Sequence, residues 1–168
     1  MRQSTGGKVL ASDLAGVLAQ TSGYHQLQKL IGADLTDQEV RELWMNSDAV
    51  KLFEAGKIGS AEFGLLAVEE FGIELSSEAF IKAYFTWQHG FYPGAEDLTA
   101  SLSRRFAVCR ISNNNEIRWN TSYEIVFQRC FASHKLGSVR AKSRFFLTSF
   151  PMSLMRTRMM SISLMTLF

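Results

Sequence analysis

Apolar residues follow two kinds of pattern along the chain, and the patterns occupy different regions. Short, nearly continuous apolar runs at residues 8–12 and 106–111 are typical of buried strands, and residues 127–133 are a candidate for a third strand. Between residues 19 and 92, apolar residues instead recur at the spacing of amphipathic helices. The pattern therefore predicts strands on both sides of a block of about four helices.

Polar residues that favour helix starts divide this block. Thr36 and Glu39 have the spacing of a capping box, in which each side chain bonds the other residue's backbone N–H. Further N-caps are predicted at Ser60 and at Ser76 or Ser77. Large aromatic side chains recur on the apolar faces, and we expect them to form a core, not a cofactor site: Phe53, Phe63, Phe71, Trp44 and Trp87.

The order of the predicted elements indicates the fold class. Pro93 suits the first position of a helix, and residues 95–105 form a short amphipathic helix that leads into the second strand. Strands that alternate with helices are typical of an α/β fold with a Rossmann-like parallel sheet. Ligands of such sheets bind at the carboxyl ends of the strands, where Asp13 and Ser112 are placed.

Composition narrows the class of protein. The 168 residues have a formal net charge of +2 and are 46% apolar and 20% charged, which is ordinary globular usage. Two cysteines, Cys109 and Cys130, are too few for a disulfide framework or a zinc cluster, so a reduced, cytoplasmic compartment is expected. Neither a secretory signal nor an apolar run long enough to cross a bilayer is predicted.

Charge is unevenly distributed. All 16 acidic residues lie within residues 1–124, together with 11 of the 18 basic residues, so residues 125–168 carry seven basic residues and no acid. A basic tail is typical of binding to nucleic acid or to a membrane surface. Here the basic residues are scattered among Phe, Leu and Met, and five of the seven methionines lie between Met152 and Met165. We therefore predict neither a nucleic-acid partner nor a membrane.

Five stretches, taken together, resemble a known superfamily. They run in order from residue 8 to about 142: VLASDLAGVL, FEAGKIGSAEF, YPGAEDLTASL, VCRISNNNEIRW and FASHKLG. This series is similar to the haloacid dehalogenase-like (HAD) hydrolases, in particular to the phosphatase-like branch with a helical cap. The resemblance implies an incomplete α/β core formed by residues 1–18 and 93–143, an all-helical cap at 19–92, and an atypical tail at 144–168.

The resemblance also implies a mechanism, which is Mg²⁺-dependent hydrolysis of a small phosphorylated metabolite. Asp13 would be the nucleophile that forms an aspartyl-phosphate, and one of its oxygens would bind Mg²⁺ with the backbone carbonyl of Ala15. Ser112 would hydrogen-bond the phosphoryl group, helped by the backbone of Asn113. Lys142 would neutralise the phosphate and the carboxylate. No oligomeric state is implied.

Two departures from the family pattern predict weak or no activity in this chain. Active phosphatases of the superfamily usually have a second Asp two residues after the nucleophile, which protonates the leaving group, and here that residue is Ala15. Such acid–base help is typically worth about 10²–10⁴-fold. The family also completes its metal site with a later acidic pair, whereas this chain has no Asp or Glu after Glu124.

A shift of reading frame explains the missing acidic pair. Reading the tail two nucleotides out of register forces an Asp codon at the Met159–Met160 junction and another at the Met165–Thr166 junction. Our hypothesis is that residues from about 143 onward are out of frame and carry no selected pattern. The sheet would then lose its later strands and expose an edge.

Two other functions remain open. In the first, the chain is a catalytically inactive remnant whose cap binds a phosphorylated ligand or a partner protein. In the second, the chain is a 2-haloacid dehalogenase. The latter chemistry uses the same Asp13 nucleophile on a carbon centre and needs no metal. Metal dependence and halide release discriminate between these alternatives.

Overall fold

A computed structural model describes residues 9–32, 34–119, 127, 129–137 and 163–165 of the chain. Lys142 and most of the basic tail lie outside the described residues. The elements in chain order are β1 (Val9–Ser12), β2 (Ala19–Thr21), α1 (Gly23–Ile31), α2 (Asp37–Asn46), α3 (Asp48–Glu54), α4 (Ser60–Phe71), α5 (Ser77–Phe85), β3 (Gln88–Phe91), α6 (Ala95–Ser103), β4 (Ala107–Ser112), β5 (Arg129–Ala132), α7 (Ser133–Leu136) and β6 (Ser163–Met165).

A four-stranded sheet has the order β5–β4–β1–β6, and each neighbouring pair is parallel. Parallel neighbours need long crossover connections, and the connection from β1 to β4 contains the helices α1–α6. The three strands predicted from apolar runs are confirmed, each within two residues of its predicted ends. The α/β class with a parallel sheet is confirmed as well.

Apolar side chains from the sheet enter two clusters. Successive strand residues point to opposite faces, so Val108 and Cys109 of β4 belong to different clusters. Cys109 is buried with Ala11 and Ile111, as expected for a small core residue. The other cluster joins Val108 to residues of the β1–β2 loop, α6 and the segment before β5: Leu14, Leu18, Ala95 and Phe127.

The helices α1–α5 enclose a separate aromatic core, and we refer to them as the helical unit. Phe53 and Phe63 are stacked with ring centroids 4.2 Å apart, and Trp44 is stacked on Tyr84 at 5.7 Å. All five aromatic residues predicted for this core are buried. Each such side chain contributes on the order of 1.5–3 kcal/mol when it is fully removed from water.

Two of the predicted helix starts are confirmed. At α2, the Thr36 N–H donates to Glu39 Oε2 at 2.8 Å, and the Glu39 N–H donates to Thr36 Oγ1 at 3.3 Å, which completes the capping box. At α5, Ser76 is the N-cap, since its hydroxyl accepts a bond from the Ala79 N–H at 3.2 Å.

The N-cap of α4 was predicted one residue too late, whereas the start of α6 was predicted correctly. Helix α4 has Gly59 as its N-cap, and Ser60 is its first residue. Ser60 does not cap the helix itself, because its N–H donates to the Glu116 carboxylate at 2.7 Å from another part of the chain. Helix α6 begins at Ala95, as predicted, and ends at Ser103. Pro93 is not its first residue, because Gly94 has φ +80° and cannot belong to the helix.

Two short strands flank the helical unit, so the segment 19–92 is not all helical. Strand β2 pairs antiparallel with β3, with Ala19 opposite Phe91 and Gln20 opposite Gly90. The Ser22 N–H donates to the Trp87 carbonyl at 2.9 Å and extends this pairing. Strand β2 has three residues, and β3 has four with a glycine among them. Strands this short show no clear alternation of apolar and polar residues, and for this reason the sequence pattern missed both.

Strand β6 comes from the tail and lies beside β1. Leu10 of β1 is opposite Ser163, and Ser12 is opposite Met165, so β1 has a neighbour on both sides. The edges of the described sheet are therefore β5 and β6, and the expected exposure of an edge stays a prediction. The reading-frame hypothesis itself stays a prediction.

Candidate active site

Asp13 directly follows β1, at the carboxyl edge of the sheet. Its Oδ1 accepts a hydrogen bond from the Leu14 N–H at 2.8 Å. The chain then turns sharply, since the N–H groups of Leu18 and Ala19 both donate to the Leu14 carbonyl, at 2.9 and 2.8 Å. Gly16 permits this turn with φ +74°. The turn thus holds a partly exposed carboxylate at the end of a buried strand.

Ala15 lies within the same turn and is exposed. Its methyl group has no proton to transfer, so the turn itself offers no acid to a leaving group beside Asp13. Its backbone carbonyl and the Asp13 carboxylate are oxygen donors, the ligand type that Mg²⁺ prefers. Mg²⁺ usually keeps several waters and takes only one or two carboxylates. This donor set therefore fits the ion, although no group of three metal-ligating side chains occurs within the described part of the chain.

Ser112 is brought to the same edge by strand register. Ser12 is opposite Arg110, so the residues after Ser12 run beside Ile111 and Ser112 at the end of β4. The Ser112 side chain is buried, and its hydroxyl donates to the Asn113 carbonyl at 3.2 Å. Asn113 follows as an exposed residue. The structure thus places Asp13, Ala15, Ser112 and Asn113 at one edge.

The loop after β4 is fixed by residues that follow β5. The Asn114 N–H donates to Ser133 Oγ at 2.9 Å, and Ser133 Oγ is 3.0 Å from the Asn114 carbonyl. His134 Nδ1 also lies 3.0 Å from that carbonyl. Burial lowers the pKa of His134, while the bond to Asn114 opposes the shift. His134 therefore has a structural role, because it helps to fix the loop after β4.

The same loop also contacts the helical unit. Asn115 Nδ2 donates to the Tyr84 hydroxyl at 2.8 Å, and Asn115 Oδ1 accepts from the Arg118 N–H at 3.1 Å. The Arg118 guanidinium lies over the Tyr84 ring, 4.7 Å from its centroid. The sequence analysis assigned no role to the asparagines beyond Asn113, and it missed this contact. Their burial between two units was not visible in the local pattern.

The helical unit contributes a carboxyl group to this region. Glu54 is the last residue of α3 and is partly buried. Burial raises the pKa of Glu54 to about 7, while the Arg118 charge lowers it, the Asp13 charge raises it, and a hydrogen bond from Trp44 lowers it. Glu54 thus lies within electrostatic range of Asp13. Glu54 lies in the stretch FEAGKIGSAEF, which contributes to the family resemblance, but the sequence analysis assigned no role to its carboxyl group.

Lys142, which was predicted to neutralise the phosphate, lies outside the described residues. Its role stays a prediction. Among the helices that the structure describes, none is both long enough and apolar enough to cross a membrane.

Solved structures of similar fold come from the superfamily that the motifs resemble. A HAD family enzyme of Bacteroides thetaiotaomicron, solved with magnesium and inorganic phosphate, aligns with 85% of this chain and 77% of its own, with TM-score 0.64 and 23% identity. A predicted HAD-like hydrolase from Porphyromonas gingivalis aligns with 84% of this chain and 73% of its own, with TM-score 0.62 and 20% identity.

More distant similarity extends to a dehalogenase. The L-2-haloacid dehalogenase of Xanthobacter autotrophicus, solved with chloropropionic acid covalently bound, aligns with 84% of this chain and 62% of its own, with TM-score 0.51 and 12% identity. No model of a protein family matches the chain, and neither does the sequence of any curated protein. These identities establish the fold, and they leave the reaction to the residues of the site.

Proposed function

We propose that this chain, which has the fold of the haloacid dehalogenase-like hydrolases, hydrolyses a phosphate monoester of a small metabolite with the help of Mg²⁺. The observation that supports it is the meeting of Asp13 and Ser112 at the carboxyl edge of two adjacent parallel strands. Ligands of such sheets bind at this edge. The magnesium and phosphate in the Bacteroides enzyme agree with a reaction of this class.

Asp13 is the proposed nucleophile. One carboxylate oxygen attacks phosphorus and forms an aspartyl-phosphate, which water then hydrolyses. The other oxygen, together with the Ala15 carbonyl, would hold Mg²⁺. Bound there, the ion would neutralise the charge that otherwise repels an anionic nucleophile from an anionic substrate.

Ser112 and Asn113 are the proposed phosphate-binding residues. The Ser112 hydroxyl donates at present to the neighbouring Asn113 carbonyl at 3.2 Å, a long bond that a phosphoryl oxygen replaces readily. A charged acceptor binds such a donor more strongly than a neutral carbonyl does. Lys142 is proposed as the cation that offsets the phosphate charge.

The helical unit is proposed to be the cap that determines substrate choice. It reaches the sheet edge through Glu54, and it is fixed to the loop after β4 by the Asn115–Tyr84 hydrogen bond. A cap in this place excludes water and contacts the leaving group. The expected cytoplasmic location stays a prediction.

Turnover of 4-nitrophenyl phosphate, with Mg²⁺ and with excess EDTA, tests the proposal. We expect release of nitrophenolate that needs Mg²⁺ and is lost in Asp13→Asn. The matched control is Asp34→Asn, which removes a carboxylate from an exposed residue and should keep wild-type turnover. Metal-independent turnover, or full activity in Asp13→Asn, would contradict the mechanism.

The tail is tested by the same assay. A second chain, encoded with the reading frame shifted by two nucleotides from about residue 143, would regain the two forced aspartates. Activity only in this chain supports both the phosphatase reaction and the frame hypothesis. Turnover in neither chain, with Mg²⁺-dependent binding of inorganic phosphate retained, supports the inactive binding module instead.

Dehalogenation of a 2-haloacid is the second candidate, and Ala15 is the residue that favours it. A halide leaves without a proton, so a site with no acid beside Asp13 loses nothing in that reaction. The fold shared with the Xanthobacter dehalogenase is consistent with it. Halide release from 2-chloropropionate in EDTA would establish this reaction, and its absence would exclude it.

A further inference from the structure

A phosphate ester with an alcohol leaving group needs a proton at the ester oxygen, and the Asp13 turn supplies none. Ala15, two residues after the nucleophile, ends in a methyl group. An alkoxide leaves poorly, so a positioned acid is typically worth about 10²–10⁴-fold in rate. A side chain that donates this proton must therefore come from another element, on the side of the bound substrate opposite Asp13.

We propose that Glu54 of α3 is this donor, so that the acid of the reaction comes from the helical unit and not from the nucleophile's own turn. The inference rests on the proposed phosphatase function and goes beyond it by assigning the leaving-group residue. Glu54 would touch the ester oxygen that leaves and, in the second step, the attacking water.

The position of Glu54 is fixed by close packing at the end of α3. Gly56, two residues later, lies against the backbone of His134 at the start of α7, so that a Cβ placed on Gly56 would be 3.1 Å from the His134 carbonyl carbon. Ser133 and His134 in turn fix the loop after Ser112. The end of α3 is therefore attached to the same edge of the sheet that presents Asp13 and Ser112.

Groups from four elements act on the Glu54 carboxyl group through their charge or through hydrogen bonding. Arg118 comes from the loop after β4, Asp13 from the loop after β1, Trp44 from α2, and Tyr84 from α5. Burial is the largest influence and raises the pKa of Glu54 to about 7. A carboxyl group with a pKa near the working pH both gives up and takes back a proton efficiently. Arg118 remains beside it to stabilise the carboxylate once the proton has left.

Protons and electron pairs balance over the two steps. First, an Asp13 oxygen forms a bond to phosphorus, the ester P–O bond breaks, and its electron pair stays on the leaving oxygen. That oxygen takes the proton of Glu54, which releases an alcohol and leaves Glu54 as a carboxylate. Second, water attacks the aspartyl-phosphate, Glu54 removes the water's proton, and the P–O bond to Asp13 breaks. Inorganic phosphate, the Asp13 carboxylate and protonated Glu54 result.

Leaving-group dependence tests this role in the whole chain with Mg²⁺ present. The variant Glu54→Gln keeps the shape and hydrogen-bonding capacity of the side chain but cannot transfer a proton. We compare kcat/KM for 4-nitrophenyl phosphate, whose leaving group needs no proton, with kcat/KM for glycerol 1-phosphate, whose leaving group does. Glu69→Gln, at an exposed residue of α4, is the matched control.

We expect Glu54→Gln to lose about 10²–10⁴-fold in kcat/KM on glycerol 1-phosphate and less than about tenfold on 4-nitrophenyl phosphate. The first turnover on 4-nitrophenyl phosphate should appear as a burst, because formation of the aspartyl-phosphate remains fast while its hydrolysis slows. Placing an acid in the turn, as Ala15→Asp in the Glu54→Gln background, should restore turnover of glycerol 1-phosphate.

Two results would overturn the assignment, and they separate it from the proposed function. Equal losses on both esters in Glu54→Gln, with no rescue by Ala15→Asp, would show that Glu54 is not the acid while the phosphatase function stands. Failure of the wild-type chain to hydrolyse either ester would remove the phosphatase function and the Glu54 role with it. Thermal unfolding of each variant separates loss of folding from loss of chemistry.

Discussion

Gly56 offers the sharpest test of how the helical unit contacts the sheet. It has φ +65°, in the left-handed region, and its Cα faces the backbone of His134. A Cβ at this residue would lie inside 3.0 Å of the His134 carbonyl oxygen, and 3.1 and 3.2 Å from its carbonyl carbon and Cα. Because all three atoms belong to the backbone, no side-chain rotation relieves the overlap.

Two costs add in the variant Gly56→Ala. An L-residue in the left-handed region costs about 1–2 kcal/mol. Forcing extra volume into a packed contact costs about 1–3 kcal/mol. We therefore expect the free energy of unfolding to fall by about 2–5 kcal/mol, measured by urea denaturation followed by circular dichroism.

Gly72 provides the matched control, because it separates the two costs. It caps α4 with φ +62°, and a Cβ there meets nothing within 4 Å. Gly72→Ala should therefore cost only the conformational part, about 1–2 kcal/mol. The Tm of Gly56→Ala should be lower than that of Gly72→Ala by about 2–12 °C, at about 2–4 °C per kcal/mol for a chain of this size.

Equal destabilisation of the two variants would refute the reasoning. It would mean that the loop after α3 does not approach α7 in solution, and that the close packing used to place Glu54 is absent. If Gly56→Ala lowers the free energy of unfolding more than Gly72→Ala does, by about the packing cost, the contact between the helical unit and the sheet edge is supported.

Three further predictions concern caps, the buried hydrogen bond and charge. Thr36→Ala removes the acceptor of the Glu39 N–H and should cost about 1 kcal/mol in urea denaturation, and no loss would contradict the capping box. Tyr84→Phe deprives buried Asn115 of its acceptor and should cost about 1–3 kcal/mol, whereas a neutral outcome would argue against that bond. The folded state holds the Glu54 proton more tightly than the unfolded state does, so wild-type stability should fall as the pH rises from 4.5 through about 7. The free energy of unfolding of Glu54→Gln should not fall over this pH range, so this variant should be more stable than wild type at pH 8 in EDTA. Below pH 4.5 the two chains should change in stability in the same way. The same pH dependence of stability in both chains over the whole range would contradict the raised pKa of Glu54.

The fold could be predicted well because its signals are local. The apolar run that ends at Ser12 indicates a buried strand directly. The spacing of apolar residues between 19 and 92 indicates helices directly, because it matches the period of an amphipathic helix. The capping box at Thr36 is equally local, since it needs only two residues three positions apart. Strands β2 and β3 escaped prediction because their pairing joins residues about 70 positions apart and their length leaves no period to detect.

The candidate site could be predicted only in part. Asp13 and Ser112 were identified because each follows a strand, and parallel strands bring such ends together. Glu54 and Arg118 were not, although both lie in stretches that carry the family resemblance, because their burial and their partners come from distant segments of the chain. Ser60 was assigned as an N-cap for the same reason, since its true partner, Glu116, lies 56 residues away.

The sequence by itself determined the fold class, the nucleophile candidate at Asp13 and the absence of a second acid at Ala15. These follow from hydrophobic period and from the identity of single residues, which need no partner to be recognised. Only the tertiary structure decided that Glu54 lies within electrostatic range of Asp13 and that Asn115 bonds Tyr84 across the two units. A pKa depends on burial and on nearby charge, and both arise only when distant segments pack together.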